Sequence, residues 1–170
     1  MPAANSNSTI PTKILVPVDF SPSSRAAVES AAELAQHFGA ALHLVHVVPM
    51  FPATTMPDFI PETKFTDEAK KAAEQHFAAA AVDLAGKGIK VGSSVEVGDD
   101  VASCIMETVD RENADMLVIS SHGLTGWHPL FFGSIAEKVM KLVTCPVLLL
   151  RTPKPAADAK VAPRRLAEWW

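Results

Sequence analysis

Short, nearly continuous apolar runs alternate along this chain with longer segments in which apolar residues recur every three or four positions. "KILVPVDF" opens the series as a β-branched run ending at Asp19, which predicts a buried strand. "SPSSRAAVESAAELAQHFG" follows as an amphipathic helix with Ala26, Ala27, Ala31, Leu34, Ala35 and Phe38 on its apolar face. Ser21 or Ser23 caps that helix and Gly39 ends it. "ALHLVHVV" reads as a second strand. Pro49, Pro52, Pro57 and Pro61 then interrupt a stretch that cannot hold regular structure and is long for a simple connection. Beyond it, "TDEAKKAAEQHFAAAAVDLAGKG" predicts a helix capped by Thr66 and closed by Gly86 or Gly88. "VGSSVEVG" is a third strand, and "DDVASCIMETVDREN" a third helix capped by Asp99 or Asp100. A fourth strand "ADMLVISS", a fourth helix "GSIAEKVMKLVTC" and a fifth strand "PVLLLRT" complete the series.

Alternating strands and helices, with most strands apolar on both sides, predict a doubly wound α/β fold: a five-stranded parallel sheet with helices on both faces. Ligands of such sheets bind beyond the carboxyl ends of the strands, where the strand order reverses. The candidate positions therefore follow the first strand at Asp19, the second from Val48 onward, and the fourth from Ser120 to Gly126.

The composition narrows the class. In 170 residues, 48% apolar and 20% charged, one globular domain of ordinary size is expected. A net charge of -4 argues against broad nucleic-acid binding, though not against a local pocket for a small phosphate ligand. Cys104 and Cys145 lack metal-ligand spacing and read as reduced, buried side chains. No apolar run approaches a membrane span, and "MPAANSNSTIPTK" lacks the features of a signal peptide, so a cytoplasmic location is the default expectation. Residues 1–12 read as a flexible leader, 13–152 as the folded domain, and 153–170 as an appended tail ending in "RRLAEWW".

Chemistry concentrates in "SSHGLTGWHPLFFGSIAEKV". Gly133 and Ser134 open a helix whose free amides carry partial positive charge and attract a phosphate. Asp19 can accept hydrogen bonds from a ribose diol or cap the following helix. His43 and His46 are expected to be core or edge histidines rather than metal ligands. His122 could touch a phosphate or bond to backbone.

These residues resemble the universal stress protein family of small nucleotide-binding α/β proteins over roughly residues 10 to 152. Ser120-Ser121-His122-Gly123, nine residues from Leu124 to Phe132, and then Gly133-Ser134 match the family's G-x-x-G, nine residues, G-S or G-T pattern. "VPVDFS", "HVV" and "CPVLLLR" are also similar to the family. The resemblance implies a Rossmann-like, adenine nucleotide alpha hydrolase-like fold. It implies that Pro17, Val18 and Asp19 line adenine and ribose, with Leu42 and Ile119 as apolar walls. Gly123, Gly133, Ser134 and the adjoining Ile135 would hold the phosphates of ATP or another adenine nucleotide, with magnesium among them. A homodimer through residues 147–151 is implied as well, and an exposed apolar edge strand independently invites a partner.

One position departs from the pattern: Ser120 stands where the family has its first glycine. Serine costs affinity if that position needs positive φ, and is tolerated if it needs only a small side chain. The function expected from the resemblance is an ATP-dependent stress-response switch or sensor. Without a G-x-x-x-x-G-K-[ST] loop, it would be at most a slow ATPase. The alternative is a non-nucleotide interaction module of the same fold, acting through its dimer surface, its proline-rich loop or its tryptophan-containing tail. An ATP pyrophosphatase-type ligase is disfavoured, because "DFSPSS" replaces the phosphate loop such enzymes carry after the first strand.

Overall fold

The structure, a computed structural model, describes residues 10–50, 62–121 and 133–151. Nine elements follow in the order β1 (Lys13–Pro17), α1 (Pro22–Phe38), β2 (Ala41–Pro49), α2 (Glu62–Gly86), β3 (Val91–Gly98), α3 (Val101–Glu112), β4 (Met116–Ser120), α4 (Ser134–Leu142) and β5 (Val147–Leu150). The expected leader and tail lie almost wholly outside the described residues, as do His122 and Gly123.

The five strands form one parallel sheet in the order β3-β2-β1-β4-β5, as the doubly wound pattern requires. Successive residues of each strand point to opposite faces, and the core divides accordingly. Ile14, Val16, Leu42, Leu44 and Val118 pack with Ala27 and Val28 of α1 and Phe77 and Leu84 of α2. Leu15, Val45, Val47, Leu117 and Ile119 pack on the other face with Ile105 and Val109 of α3 and Val139 of α4. Both faces of the sheet are covered, which is why most of its strands read as nearly continuous apolar runs, the outer strand β3 (VGSSVEVG) excepted.

Local signals set most boundaries. Ser21 is the N-cap of α1, its hydroxyl accepting from the Ser24 amide at 3.1 Å, and Gly39 ends the helix in the left-handed region at φ 70°. Asp100 is the N-cap residue of α3. Helix α2 departs from expectation: it begins at Glu62 rather than at Thr66. Proline is tolerated just ahead of a helix, where no intrahelical donor is needed, so Pro61 permits the earlier start.

The chain ahead of β1 is tied to the turn before β4. The Asp115 carboxylate accepts from the Thr12 amide at 2.9 Å and the Lys13 amide at 2.9 Å. Burial works against the charged form of Asp115, yet these hydrogen bonds outweigh it and hold the carboxyl below its ordinary value.

The pairing of β1 is unequal on its two sides. With β2 it runs from Lys13↔Ala41 to Pro17↔Val45, whereas with β4 it comprises Ile14↔Met116 and Leu15↔Leu117. Pro17 has no N–H to donate to a ladder. Beyond Leu15 the central strand parts from β4 at the point where the strand order reverses.

Candidate functional site

That parting opens into a cavity of about 560 Å³, within the size range of small-molecule sites. Pro17, Val18 and Asp19 line one side, while Ile119, Ser120 and Ser121 come from the end of β4. Gly133, Ser134, Ile135 and Ala136 contribute the start of α4. Val45, Val47 and Pro49 of β2 and Val101 and Ile105 of α3 supply apolar walls.

Two tight backbone arrangements present the polar groups. After Asp19 the chain turns through Phe20 at φ 61°, a left-handed conformation that a bulky residue seldom adopts. The Phe20 ring compensates by packing 4.7 Å from His46, 5.1 Å from His76 and 5.8 Å from Phe77, centroid to centroid. This turn lets the Asp19 carboxylate accept from the Ser21 amide at 3.0 Å and from the Ser21 hydroxyl. Across the cleft, the Gly133 amide donates to the Ser121 carbonyl at 2.8 Å, bringing the start of α4 against the end of β4. Residues 134–136, at the start of α4, belong to the first turn, whose amides have no carbonyl partner within a helix. They stand at the positive end of its dipole.

His46 lies at the cleft wall, its Nδ1 2.7 Å from the Val18 carbonyl. Donation to that carbonyl places the proton on Nδ1. Burial pushes the imidazole below its usual pKa, although the Val18 hydrogen bond and the Asp19 charge oppose the shift. At the base of the walls, Lys138 of α4 reaches Asp100 of α3 at 2.6 Å. Hydrogen bonds from Lys138 and Ser103 hold the Asp100 carboxyl down to about 2.

Of the residues singled out in the sequence, Pro17, Val18, Asp19, Ile119, Ser120, Gly133, Ser134 and Ile135 are brought together around the cavity. His122 and Gly123 lie outside the described residues. Leu42 is a correction: it pairs with Ile14 near the amino end of β2 and is buried against α1 and α2, away from the cleft. The apolar wall from this strand is supplied by Val45 and Val47, which lie nearer its carboxyl end. Val47 and Ile105 were missed by sequence reasoning, though position near a strand's carboxyl end and spacing along α3 were legible signals. His46, expected as a core or edge residue, also lines the cleft. Ser120 ends β4, is buried, and is not among the described non-glycine residues with positive φ. Its backbone places no demand for glycine at this position.

A doubly wound parallel sheet with a cleft at its strand reversal, closed on one side by a helix start, defines a small α/β protein of Rossmann-like fold. The chain belongs to the universal stress protein family, whose model matches residues 11–151. It is 28% identical over 142 residues to universal stress protein MJ0531 of Methanocaldococcus jannaschii, covering 84% of this chain and 83% of that one. Its fold is that of the universal stress protein UspA from Lactobacillus plantarum, with a TM-score of 0.73, 24% identity, and coverage of 82% of this chain and 97% of that one. The universal stress protein of Archaeoglobus fulgidus in complex with dAMP aligns with a TM-score of 0.57 at 23% identity, over 82% of this chain and 98% of that one. A universal stress protein in complex with cAMP aligns with a TM-score of 0.57 at 21% identity, over 84% of this chain and 98% of that one.

One buried histidine, His43, and one half-buried, His46, predict an acid-sensitive fold. Burial is the largest influence on both His43 and His46 and lowers both below the ordinary value of 6.5. Unfolded histidine binds its proton near pH ~6.5, so the unfolded state takes up protons that the native state resists. Their contribution is fully present above that pH and is lost as pH falls below it, through the lowered native values. The depressed carboxylates, Asp115 among them, lose their contribution only at lower pH. Urea midpoints should therefore drop between pH 7 and pH 5, and His46→Gln should flatten that slope. An unchanged slope in the variant would contradict the assignment.

Proposed function

We propose that the cleft binds an adenine nucleotide, ATP in particular, and that the protein acts in the cytoplasm as a nucleotide-dependent switch or sensor in a stress response. The observation that carries this reading is the juxtaposition of Pro17–Asp19 with Gly133–Ile135 across one cavity. The apolar walls from Val45, Val47, Ile105 and Ile119 suit the faces of a flat base. Asp19 suits a ribose diol as a hydrogen-bond acceptor. The first turn of α4 suits phosphate oxygens through amide donors and dipole. The dAMP and cAMP complexes of family members of the same fold support the choice of an adenine nucleotide.

Magnesium fits this arrangement as an ion carried by the nucleotide. Among the described residues no group of three or more His, Cys, Asp or Glu side chains is placed to hold a metal. Asp19 is the carboxylate among the described lining residues. Magnesium commonly takes one or two carboxylates and fills its remaining positions with phosphate oxygens and water. When bound, it would neutralise phosphate charge, while Asp19, Gly133 and Ser134 orient the ligand. Hydrolysis that is slow at most belongs to the same proposal.

Equilibrium titration with a fluorescent ATP analogue and magnesium tests the reading. Saturable binding is expected, weakened by at least ~10-fold, or ~1.4 kcal/mol, in Gly133→Asp, which sets a negative charge where the phosphates would lie. Absence of saturable binding at near-millimolar ligand would overturn it.

A homodimer through residues 147–151 belongs to the same proposal. β5 is an outer strand of the sheet with Leu148 37% exposed, and apolar sheet edges recruit partners. Sedimentation equilibrium should return a dimer mass for the wild type and a shift toward monomer for Leu148→Lys. A wild-type monomer at all concentrations would remove the dimer.

A further inference from the structure

Outside the described lining of the cleft, on the face of the sheet covered by α3, six polar side chains meet in one cluster. His43 is buried on β2, directly opposite Gly92 of β3, and Ser94 sits one pleat further along β3 opposite Val45. The end of α3 brings Arg111 and Glu112 over them. His43 Nε2 lies 3.1 Å from the Ser94 hydroxyl, and His43 Nδ1 lies 3.5 Å from the Glu112 carboxylate. Arg111 Nη2 lies 3.4 Å from the same Ser94 oxygen and is also paired with Glu96. Lys13 holds Glu112 from the other side at 3.2 Å.

Hydroxyl, imidazole and carboxylate thus stand in a line, each within reach of the next. The carboxylate beside Nδ1 favours the tautomer with its proton there, which leaves Nε2 as one of two acceptors facing the Ser94 hydroxyl proton, the other being the Glu96 carboxylate. The guanidinium beside Oγ favours negative charge on that oxygen. Glu112 stands 3.5 Å from Nδ1, an ion-pair distance rather than a hydrogen bond, and catalytic contacts are often this long in unliganded sites. A Cβ at Gly92 would lie 3.1 Å from His43 Nδ1, close enough to press the ring out of its present position. Ser94 is partly exposed on a strand at the outer edge of the sheet.

We infer that Ser94, His43 and Glu112, with Arg111 beside the hydroxyl, form a second reactive site that accepts an acyl group from small activated carboxylic esters. In the step, the Ser94 oxygen bonds to the acyl carbon and its proton passes to His43 Nε2. The carbon–oxygen bond to the leaving group breaks, and that group takes the proton from His43. Glu112 remains a carboxylate and balances the transient imidazolium, while Arg111 donates toward the oxyanion. Water, deprotonated by the same imidazole, then releases the carboxylic acid and restores Ser94. Neither Ser94, His43 nor Glu112 is among the described lining residues of the cleft, although Ser94 stands opposite Val45, which is.

The charge balance around the imidazole fits a base that works at neutral pH. Burial lowers the His43 pKa most, Glu112 and Glu96 raise it, and Lys13 and Arg111 lower it, leaving it below its ordinary value. Glu96, hydrogen-bonded by Arg111 and Ser94, is the carboxylate at the hydroxyl, and the Ser94 proton turns from it to His43 Nε2 before the step.

The test uses the full chain with a fluorophosphonate probe and peptide mapping by mass spectrometry, followed by p-nitrophenyl acetate turnover. The expected adduct is on Ser94 and absent in Ser94→Ala. Its formation should be slower by on the order of 100-fold in His43→Gln, the scale of a lost general base. The labelling rate should also rise with pH through one ionisation below 6.5, the ordinary histidine value, a dependence that a purely structural cluster would not produce. Urea midpoints of each variant separate lost reactivity from lost folding. Ser94 left unlabelled in the folded wild type, or labelled equally fast in folded His43→Gln, overturns the inference.

Discussion

The central strand β1 is bonded along its whole length to β2 but to β4 only near its amino end, and the carboxyl edge of the molecule takes its form from that inequality. A proline at the last position of β1 has no donor for the ladder. The two strands at the reversal of order can therefore separate while the rest of the sheet stays closed. Helices α1 and α2 follow the chain outward on one face, and α3 and α4 return on the other. Neither pair covers the gap, so Pro17–Asp19, the end of β4 and the first turn of α4 meet around it.

Maintaining the opening has local costs that other contacts offset. The left-handed turn at Phe20 is unfavourable for an aromatic residue. Its stacking on His46, His76 and Phe77 supplies compensating contact and fixes the His46 ring against the cleft. The Lys138–Asp100 pair links α3 to α4 and helps hold the opposite wall. Being largely exposed, that pair contributes little stability by itself. Its importance is in the position of the helix start.

Alternation of apolar runs and helical faces was enough to read the nine described elements from the sequence: four strands carry a nearly continuous apolar signal, and β3, polar at Ser93, Ser94 and Glu96, follows from its valines and its place between two helices. Boundaries set by capping were legible at Ser21 and Gly39, where side chain or conformation has one plain use. The start of α2 was not, because four prolines nearby suggested a loop and only Pro61 bears on the helix. In the site, motif spacing found the glycine-serine helix start and the Asp19 turn. It misplaced the wall on β2, since parity along a strand says which face a residue takes but not how far along the strand the cleft lies. Leu42 and Val47 are both apolar strand positions, and only the register with β1 and β3 separates them. Ser120 was undecided for a similar reason: the need for glycine depends on φ, and a residue in regular strand geometry does not have that need. The Ser94–His43–Glu112 line was invisible in sequence, because its members come from three separate elements.

Amide hydrogen exchange with and without ATP and magnesium tests most directly whether the parted strands form the ligand site. Slowed exchange is predicted at residues 18–21, 47–50 and 133–137, with residues near His43 and Ser94 unchanged. Protection confined to other parts of the sheet, or saturating nucleotide with no protection at these segments, would contradict the account.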